Sequence, residues 1–190
     1  MQVAMTVGEK SLFENFLRCS RRYVEFGTGG STFLAASLVS ESVTSVDSSQ
    51  EWLERVRTEC LAHKLPVTPT LIHVNIGETK ELGYPIDETS KDHWSDYHTT
   101  VWSNPAASGA DLYLIDGRFR VACFLQTLLH ARPDALISIH DFANRNYYHI
   151  VHEVAQEIAR HENFSVFIRK PHYDPRRAVA VLDEYAIRPD

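Results

Sequence analysis

The sequence is poor in cysteine and has no long apolar segment. Its three cysteines, Cys19, Cys60 and Cys123, are far apart and show no CxxC or metal-finger spacing. This argues against a disulfide framework and favours a reducing compartment. No apolar run approaches the roughly 20 residues that span a bilayer, and the N-terminus lacks the apolar core of a signal peptide. We therefore expect a cytoplasmic protein that does not associate with membranes.

Positive charge is not in surplus either. The 190 residues include 19 Lys and Arg against 25 Asp and Glu, a net charge of -6 with neutral histidines. Non-specific binding to nucleic acid needs an excess of basic residues, which this chain does not have. We expect a small-molecule partner and no nucleic acid, and a homo-oligomer is left open. The length fits a single domain over residues 1–190.

The chain does show alternation of strands and helices. An N-terminal amphipathic helix is predicted at about 9–19. Strands are predicted at 22–27, 42–47, 70–77, 111–117, 135–142, 164–170 and 178–184, and the later helices include 33–39, 118–131 and 147–161. The last two strands leave no room for a helix between them, which predicts an antiparallel hairpin. The pattern predicts a three-layer α/β fold with a mostly parallel seven-stranded sheet that ends in this hairpin.

The segment from about residue 78 to 110 interrupts this alternation. Connections above roughly 12–15 residues are uncommon unless they are functional or carry their own structure. This one is rich in aromatic side chains: Tyr84, Trp94, Tyr97 and Trp102. Two interpretations stay open, a lid over an acceptor or an insert whose aromatic residues pack onto the sheet.

A glycine-rich turn follows the first strand. In Glu25-Phe-Gly27-Thr28-Gly29-Gly30-Ser31 the glycines let the backbone turn sharply and approach a ligand. Asp47 lies twenty residues after Gly27, where a carboxylate can accept both hydroxyls of a ribose. The alternative is a plain turn, with Asp47 serving only as a cap of the next helix, for which Asp47, Ser48 and Ser49 all offer side-chain oxygens. The P-loop lysine is missing, and the third glycine of the dinucleotide pattern would fall on Thr32.

These residues resemble the first motif of the class I S-adenosylmethionine (SAM)-dependent methyltransferases, an acidic residue followed by Gly-x-Gly-x-Gly. Glu25, Gly27 and Gly29 match it, and Ser31 replaces the last glycine. The resemblance implies a Rossmann-like fold that closes with a strand hairpin. It also implies that SAM is bound by the motif residues and by residues at the ends of the second and fourth strands. The implied cofactor-binding set is Glu25, Gly27, Thr28, Gly29, Gly30, Ser31, Asp47, Ser48 and Asp116.

Two acids and a histidine end the fourth and fifth strands. Because neighbouring parallel strands end at one edge of the sheet, Asp116, His140 and Asp141 should converge there. Three interpretations stay open. Asp116 and Asp141 could bind Mg²⁺, as their resemblance to the pattern of metal-dependent O-methyltransferases would imply. His140 could be a general base that Asp116 or Asp141 orients. Alternatively, Asp116 only positions the cofactor, and His140 satisfies backbone groups.

The site is predicted to transfer a methyl group from SAM to a small-molecule acceptor, at oxygen. Arg118, which follows Asp116, could form a fork onto a carboxylate or phosphate or pair with surface acids. Two other classes of function remain alternatives, an NAD(P)-dependent oxidoreductase and a non-catalytic methyltransferase-like binding module.

Overall fold

The computed structural model describes residues 1–189 and consists of a central sheet with helices on both faces. The strands are β1 (Arg22–Phe26), β2 (Ser42–Asp47), β3 (Thr70–His73), β4 (Leu112–Ile115), β5 (Leu136–Ile139), β6 (Ala155–His161) and β7 (Phe164–Arg169). The α-helices are α1 (Val7–Arg18), α2 (Gly30–Leu38), α3 (Gln50–Ala62), α4 (Asp96–Thr99), α5 (Pro105–Ser108), α6 (Arg120–His130) and α7 (Pro175–Tyr185).

The sheet has seven strands in the order β3-β2-β1-β4-β5-β7-β6. The first five run parallel, and β7 pairs antiparallel with both β5 and β6. The strand order reverses between β1 and β4, which pair through Phe26 and Ile115. The predicted fold class is therefore confirmed, including the mostly parallel sheet and the closing hairpin.

The hairpin is built from other residues than predicted. Residues 155–161, expected in a helix, form β6, and residues 178–184, expected in a strand, lie in α7. Only two residues, 162 and 163, join β6 to β7, and Glu162 has a φ of 48°. The helix α7 begins at Pro175, and the side chain of its cap Asp174 accepts a hydrogen bond from the backbone of Arg176. An aspartate cap before a first-turn proline is a helix start signal.

Each face of the sheet carries its own apolar core. Along β1, Val24 and Phe26 pack with α6 and the insert, whereas Tyr23 packs with α1 and α2. Alternation of this kind follows from the two-residue period of a strand. It places Glu25, which follows Tyr23 by two residues, on the α2 face, where the side chain is fully buried.

The insert packs onto the sheet through its aromatic residues. Trp94 and Tyr97 are only 4% and 1% exposed, and both rings contact the ring of Phe119. The Trp94 indole N–H donates to the carbonyl of Ile76 at 3.1 Å. The packing interpretation of Trp94 and Tyr97 therefore matches the structure.

Across residues 1–189, no helix has the length and apolar character needed to cross a membrane.

Candidate active site

The predicted site residues lie at the carboxyl ends of β1, β2, β4 and β5. Ile115 of β4 is in register with Ile139 of β5, so the residues that follow them are neighbours. His140 Nδ1 lies 3.1 Å from Asp116 Oδ1. The predicted convergence of Asp116 and His140 thus follows directly from the parallel pairing.

The glycine turn depends on a backbone conformation that favours glycine. Gly27 has a φ of +100°, and a Cβ built on it would lie 2.6 Å from the backbone nitrogen of Gly117. The turns after β1 and β4 therefore touch main chain to main chain. On the other side, a Cβ on Gly30 would lie 2.1 Å from the carbonyl oxygen of Gln2, so the N-terminal segment covers the start of α2.

Substitution of Gly27 by alanine should destabilise the protein by about 1–3 kcal/mol, because the new Cβ meets backbone and the φ is unfavourable. Gly29→Ala is the matched control: its φ of 177° is extended backbone, and the nearest atom to the new Cβ, Trp52 Nε1, is 3.7 Å away. Urea unfolding of both variants measures the difference. Equal stability of the two variants would contradict the proposed constraint at position 27.

Asp47 joins the end of β2 to the glycine turn. Its two carboxylate oxygens accept hydrogen bonds from the backbone N–H of Thr28 at 2.8 Å and of Ser49 at 2.9 Å. Burial raises the pKa of Asp47 despite these bonds. Of the three candidate cap residues, Ser49 is the cap of α3, and its side chain accepts a hydrogen bond from the backbone N–H of Trp52. Each Asp47 oxygen keeps a further lone pair for a ligand.

Glu25 is enclosed beneath the turn by hydroxyl groups. The Tyr23 hydroxyl donates to its Oε2 at 2.6 Å, and Ser45 donates to Oε1 at 2.8 Å. Thr32 also donates to Oε1 and accepts from the backbone N–H of Gly29, which links the turn to the buried acid. Burial raises the pKa of Glu25 to about 7. The structure thus gives Glu25 a role in fixing the turn, and its contact with a ligand stays a prediction.

The other residues predicted to bind a cofactor surround these two acids. The Thr28 hydroxyl lies 2.6 Å from the Ser45 hydroxyl, and Ser31 is buried at the start of α2. Ser48 lies next to the insert, where a Cβ built on Gly83 would be 3.5 Å from its Oγ. Ligand contacts for Thr28, Gly29, Gly30, Ser31 and Ser48 stay predictions.

His140 borders an open cleft of about 420 Å³, which is also lined by residues 2–6, Glu9, Asp141 and Asn163. Burial alone would lower the pKa of His140, but the hydrogen bond with Asp116 and the charges of Asp116, Asp141 and Glu9 outweigh it and raise the pKa. Burial alone would raise the pKa of Asp116, but the hydrogen bond with His140 and the positive charge of Arg120 outweigh it. The pKa of Asp116 is therefore lowered. Asp116 is therefore ionised at neutral pH and holds His140 by Nδ1.

Glu9 is a site residue that our sequence reasoning missed. It is 2% exposed, and its Oε2 lies 3.5 Å from His140 Nε2. Its carboxylate also accepts from the backbone N–H groups of Thr6 and Asn163, each at 2.9 Å. The capping-box spacing of Thr6 and Glu9 was visible in the sequence and would have placed Glu9 at a helix start. Its approach to His140 is a long-range contact that no local pattern shows.

Asp141 is held by two arginines. It has a φ of 57° and accepts from Arg145 at 3.0 Å and from Arg120 at 3.3 Å. Arg120, whose side chain is 4% exposed, also lies 3.2 Å from Asp116 Oδ1. A guanidinium thus already bridges the two carboxylates that were predicted to bind a metal.

The metal interpretation can be compared with this geometry. One ligand atom each of Asp116, His140 and Asp141 lies within 4.8 Å of the others, which would allow a cation to bind. However, Arg120 supplies the positive charge between the carboxylates, and a second cation there would be repelled. A magnesium ion held by Asp116 and Asp141 stays a prediction that this contact disfavours.

Magnesium should therefore leave the melting temperature unchanged, before and after dialysis against EDTA, because a ligand stabilises a fold only if it binds. Thermal denaturation of the wild type and of Asp141→Asn measures this. If magnesium raised the melting temperature of the wild type and not that of Asp141→Asn, the metal site would be real and the expectation wrong.

Comparison with known proteins identifies the fold. No protein-family model matches the sequence, and neither does any curated protein. Among solved structures, a methyltransferase-like protein from Silicibacter pomeroyi is similar, with 25% identity, coverage of 99% of this chain and 98% of that chain, and a TM-score of 0.90. The O-methyltransferase TomG from Streptomyces achromogenes, solved in complex with SAM, has 13% identity, coverage of 88% and 82%, and a TM-score of 0.59.

A third similar structure, a putative caffeoyl-CoA O-methyltransferase from Staphylococcus aureus, has 11% identity, coverage of 89% and 86%, and a TM-score of 0.60. The chain has the class I methyltransferase fold, so the resemblance seen in its glycine turn and closing hairpin is confirmed.

Proposed function

We propose that the protein is a SAM-dependent methyltransferase that methylates an oxygen of a small-molecule acceptor. The observation that carries this proposal is the Asp116–His140 pair, which lies at the edge of the sheet next to the glycine turn and borders an open cleft. The fold neighbours support the class of reaction, and the histidine supports the choice of oxygen.

The residues at the carboxyl ends of β1 and β2 suit SAM in their chemistry. Asp47 offers carboxylate lone pairs for two ribose hydroxyls, and it is tied to the same turn that would cradle the methionine portion. Gly27, which has a positive φ, presents no side chain to a ligand at that turn. SAM itself supplies an electrophilic methyl group on a positively charged sulfur.

The protein residues would then act on the acceptor. With Asp116 accepting from Nδ1–H, the neutral His140 presents Nε2 as a base toward the cleft. Nε2 takes the proton of the acceptor hydroxyl while the oxygen forms a bond to the methyl carbon and the carbon–sulfur bond breaks. The resulting imidazolium lies between Asp116 and Glu9, which stabilise its charge. Alignment of acceptor and methyl group supplies much of the remaining acceleration.

Ligand binding tests the proposal first. SAM and S-adenosylhomocysteine should raise the melting temperature, and NAD(H) should not. Stabilisation by NAD(H) alone would favour an oxidoreductase. Binding of SAM without transfer across a broad panel of hydroxylated acceptors would favour a non-catalytic binding module.

Asp47→Ala should weaken S-adenosylhomocysteine binding by about 1–3 kcal/mol, because charge-assisted hydrogen bonds to the ribose are lost. Isothermal titration calorimetry measures the affinity. Asp134→Ala, at a distant exposed turn, is the control and should bind as the wild type does. Unchanged affinity in Asp47→Ala would contradict the ribose role.

A further inference from the structure

Arg118 is a buried cation without a carboxylate partner. It is 5% exposed, and within residues 1–189 no acidic side chain lies within ion-pair distance of its guanidinium. Its Nε has no hydrogen-bond partner there, and Nη1 makes only a long contact of 3.4 Å to the carbonyl of Pro189. Arg120, two residues on, contacts both Asp116 and Asp141.

An unpaired buried charge is costly, because the interior does not replace the hydration that the ion loses. Of the two alternatives for Arg118, pairing with surface acids is not seen in the described residues. A guanidinium with a free edge is suited to bind a carboxylate or a phosphate through two parallel hydrogen bonds. Among residues 1–189 the Arg118 guanidinium is thus left with the Tyr84 ring and the more distant charge of Asp116, and with no anion at hydrogen-bond distance.

The position of Arg118 relates it to the candidate active site. It follows Asp116 by two residues, and the hydroxyl of Tyr97 lies against Gly117, the residue between them. Its guanidinium carbon lies 4.0 Å from the ring centre of Tyr84. Tyr84 belongs to an arm of the insert, residues 78–86, that is closed by bridge pairing of Thr79 and Pro85.

The tip of this arm crosses from the end of β2 to the turn after β4. A Cβ built on Gly83 would lie 3.5 Å from Ser48 Oγ and 3.8 Å from Arg118 Cγ. Next to it, Leu82 is 76% exposed with a φ of 61°. An anion on Arg118 would thus lie beneath the arm, close to Ser48 at the end of β2 and to the turn that carries Asp116.

We propose that Arg118 is a specificity-determining residue that binds an anionic group, a carboxylate or a phosphate, of the acceptor. This inference rests on the proposed methyl transfer for the word acceptor, but the anion site itself does not. The substrate class is then a hydroxylated small molecule that also carries a carboxylate or a phosphate.

Anion binding to the full chain tests the proposal. Calorimetric titrations at low ionic strength use benzoate and inorganic phosphate as separate probes, which distinguishes the two anions. The wild type should bind at least one of them saturably, and Arg118→Gln should bind it at least about tenfold more weakly, because both hydrogen bonds and the charge are lost. Arg57→Gln, which alters an exposed arginine paired with Glu54, should bind as the wild type does.

A second variant and a second ligand make the outcome decisive. Arg118→Lys keeps the charge without the fork and should bind the anion with intermediate affinity. S-adenosylhomocysteine should bind Arg118→Gln as it binds the wild type. If neither anion binds the wild type, if Arg118→Gln binds the anion equally well, or if only S-adenosylhomocysteine binding is lost, the proposal is overturned. Failure of the wild type to bind S-adenosylhomocysteine would instead sink the methyltransferase proposal and leave the anion titrations to decide the anion site.

Discussion

Replacement of His140 by alanine should lower the rate of methyl transfer by about 10²- to 10⁴-fold, the usual contribution of a positioned general base. Binding of S-adenosylhomocysteine should persist, because the glycine turn and Asp47 make no contact with the imidazole, and Arg120 still holds Asp116. The measurement is turnover of an accepted substrate under single-turnover conditions, together with a calorimetric affinity for S-adenosylhomocysteine.

The reason for the size of this effect is the environment of His140. Asp116 is ionised and holds Nδ1, so the neutral ring is fixed with its lone pair on Nε2. Glu9 lies 3.5 Å from that same nitrogen and stabilises the ring once it has taken a proton. Alanine removes the base while leaving two carboxylates without their shared partner, and no other described side chain bridges Asp116 and Glu9.

The rate of methyl transfer should depend on pH through the protonation of His140. The pKa of His140 is raised above its ordinary value of 6.5, and only the neutral ring can accept a proton. The rate should therefore rise with pH through this raised pKa and level off above it. His140→Asn keeps a donor for Asp116 but has no titratable base, so it should lose both the rate and the pH dependence.

His93 provides the matched control, since it is an exposed histidine beside an aspartate, Asp96, far along the insert. His93→Ala should keep both the wild-type rate and its pH profile. Wild-type turnover by His140→Ala, or an equal loss in His93→Ala, would contradict the role of His140 as a base.

The sheet and the position of the site could be predicted because both depend on local patterns. Apolar strands such as β4 are buried on both faces, and the polar residues that end them, Asp116 and His140, must then share one edge. The glycine turn could be predicted because its backbone has a positive φ at position 27, a conformation that favours glycine. These features need no knowledge of distant contacts.

The rest could not be predicted, because it depends on contacts between segments far apart in the chain. Residues 150–158 have apolar side chains at helical spacing, yet β6 is an edge strand that pairs with β7 alone. Ile158 lies at a register irregularity of that pairing and is 44% exposed. Similarly, Glu9 reaches His140 only because α1 packs beside β6 and β7, and the bridging role of Arg120 appears only when β4 and β5 are side by side.

Glu25 gives the second large expected effect, on stability. Its pKa is raised from 4.5 to about 7 by burial, so the unfolded chain loses this proton at lower pH than the folded protein does. The unfolded state therefore binds fewer protons between these two values, and the free energy of unfolding must fall as the pH rises through this window. Since each pH unit is worth about 1.4 kcal/mol, Glu25 should remove on the order of 3 kcal/mol of stability by pH 8.

Glu25→Gln should abolish this loss. An amide cannot ionise, and the hydroxyls of Tyr23, Thr32 and Ser45 can rotate to donate to its oxygen or accept from its nitrogen. Urea unfolding at pH 5 and pH 8 should show that the variant gains on the wild type by on the order of 3 kcal/mol across the interval. Glu54→Gln, at an exposed position, should follow the wild type.

If Glu25→Gln and the wild type showed the same pH dependence, Glu25 would not carry a raised pKa in the folded protein. The consequence for function follows from Thr32, which links Glu25 to the backbone N–H of Gly29. A neutral group at position 25 leaves this link intact at every pH, so the glycine turn of the variant should keep its conformation at pH 8. A loss of S-adenosylhomocysteine affinity in Glu25→Gln would then report the predicted contact of the Glu25 carboxylate with the ligand.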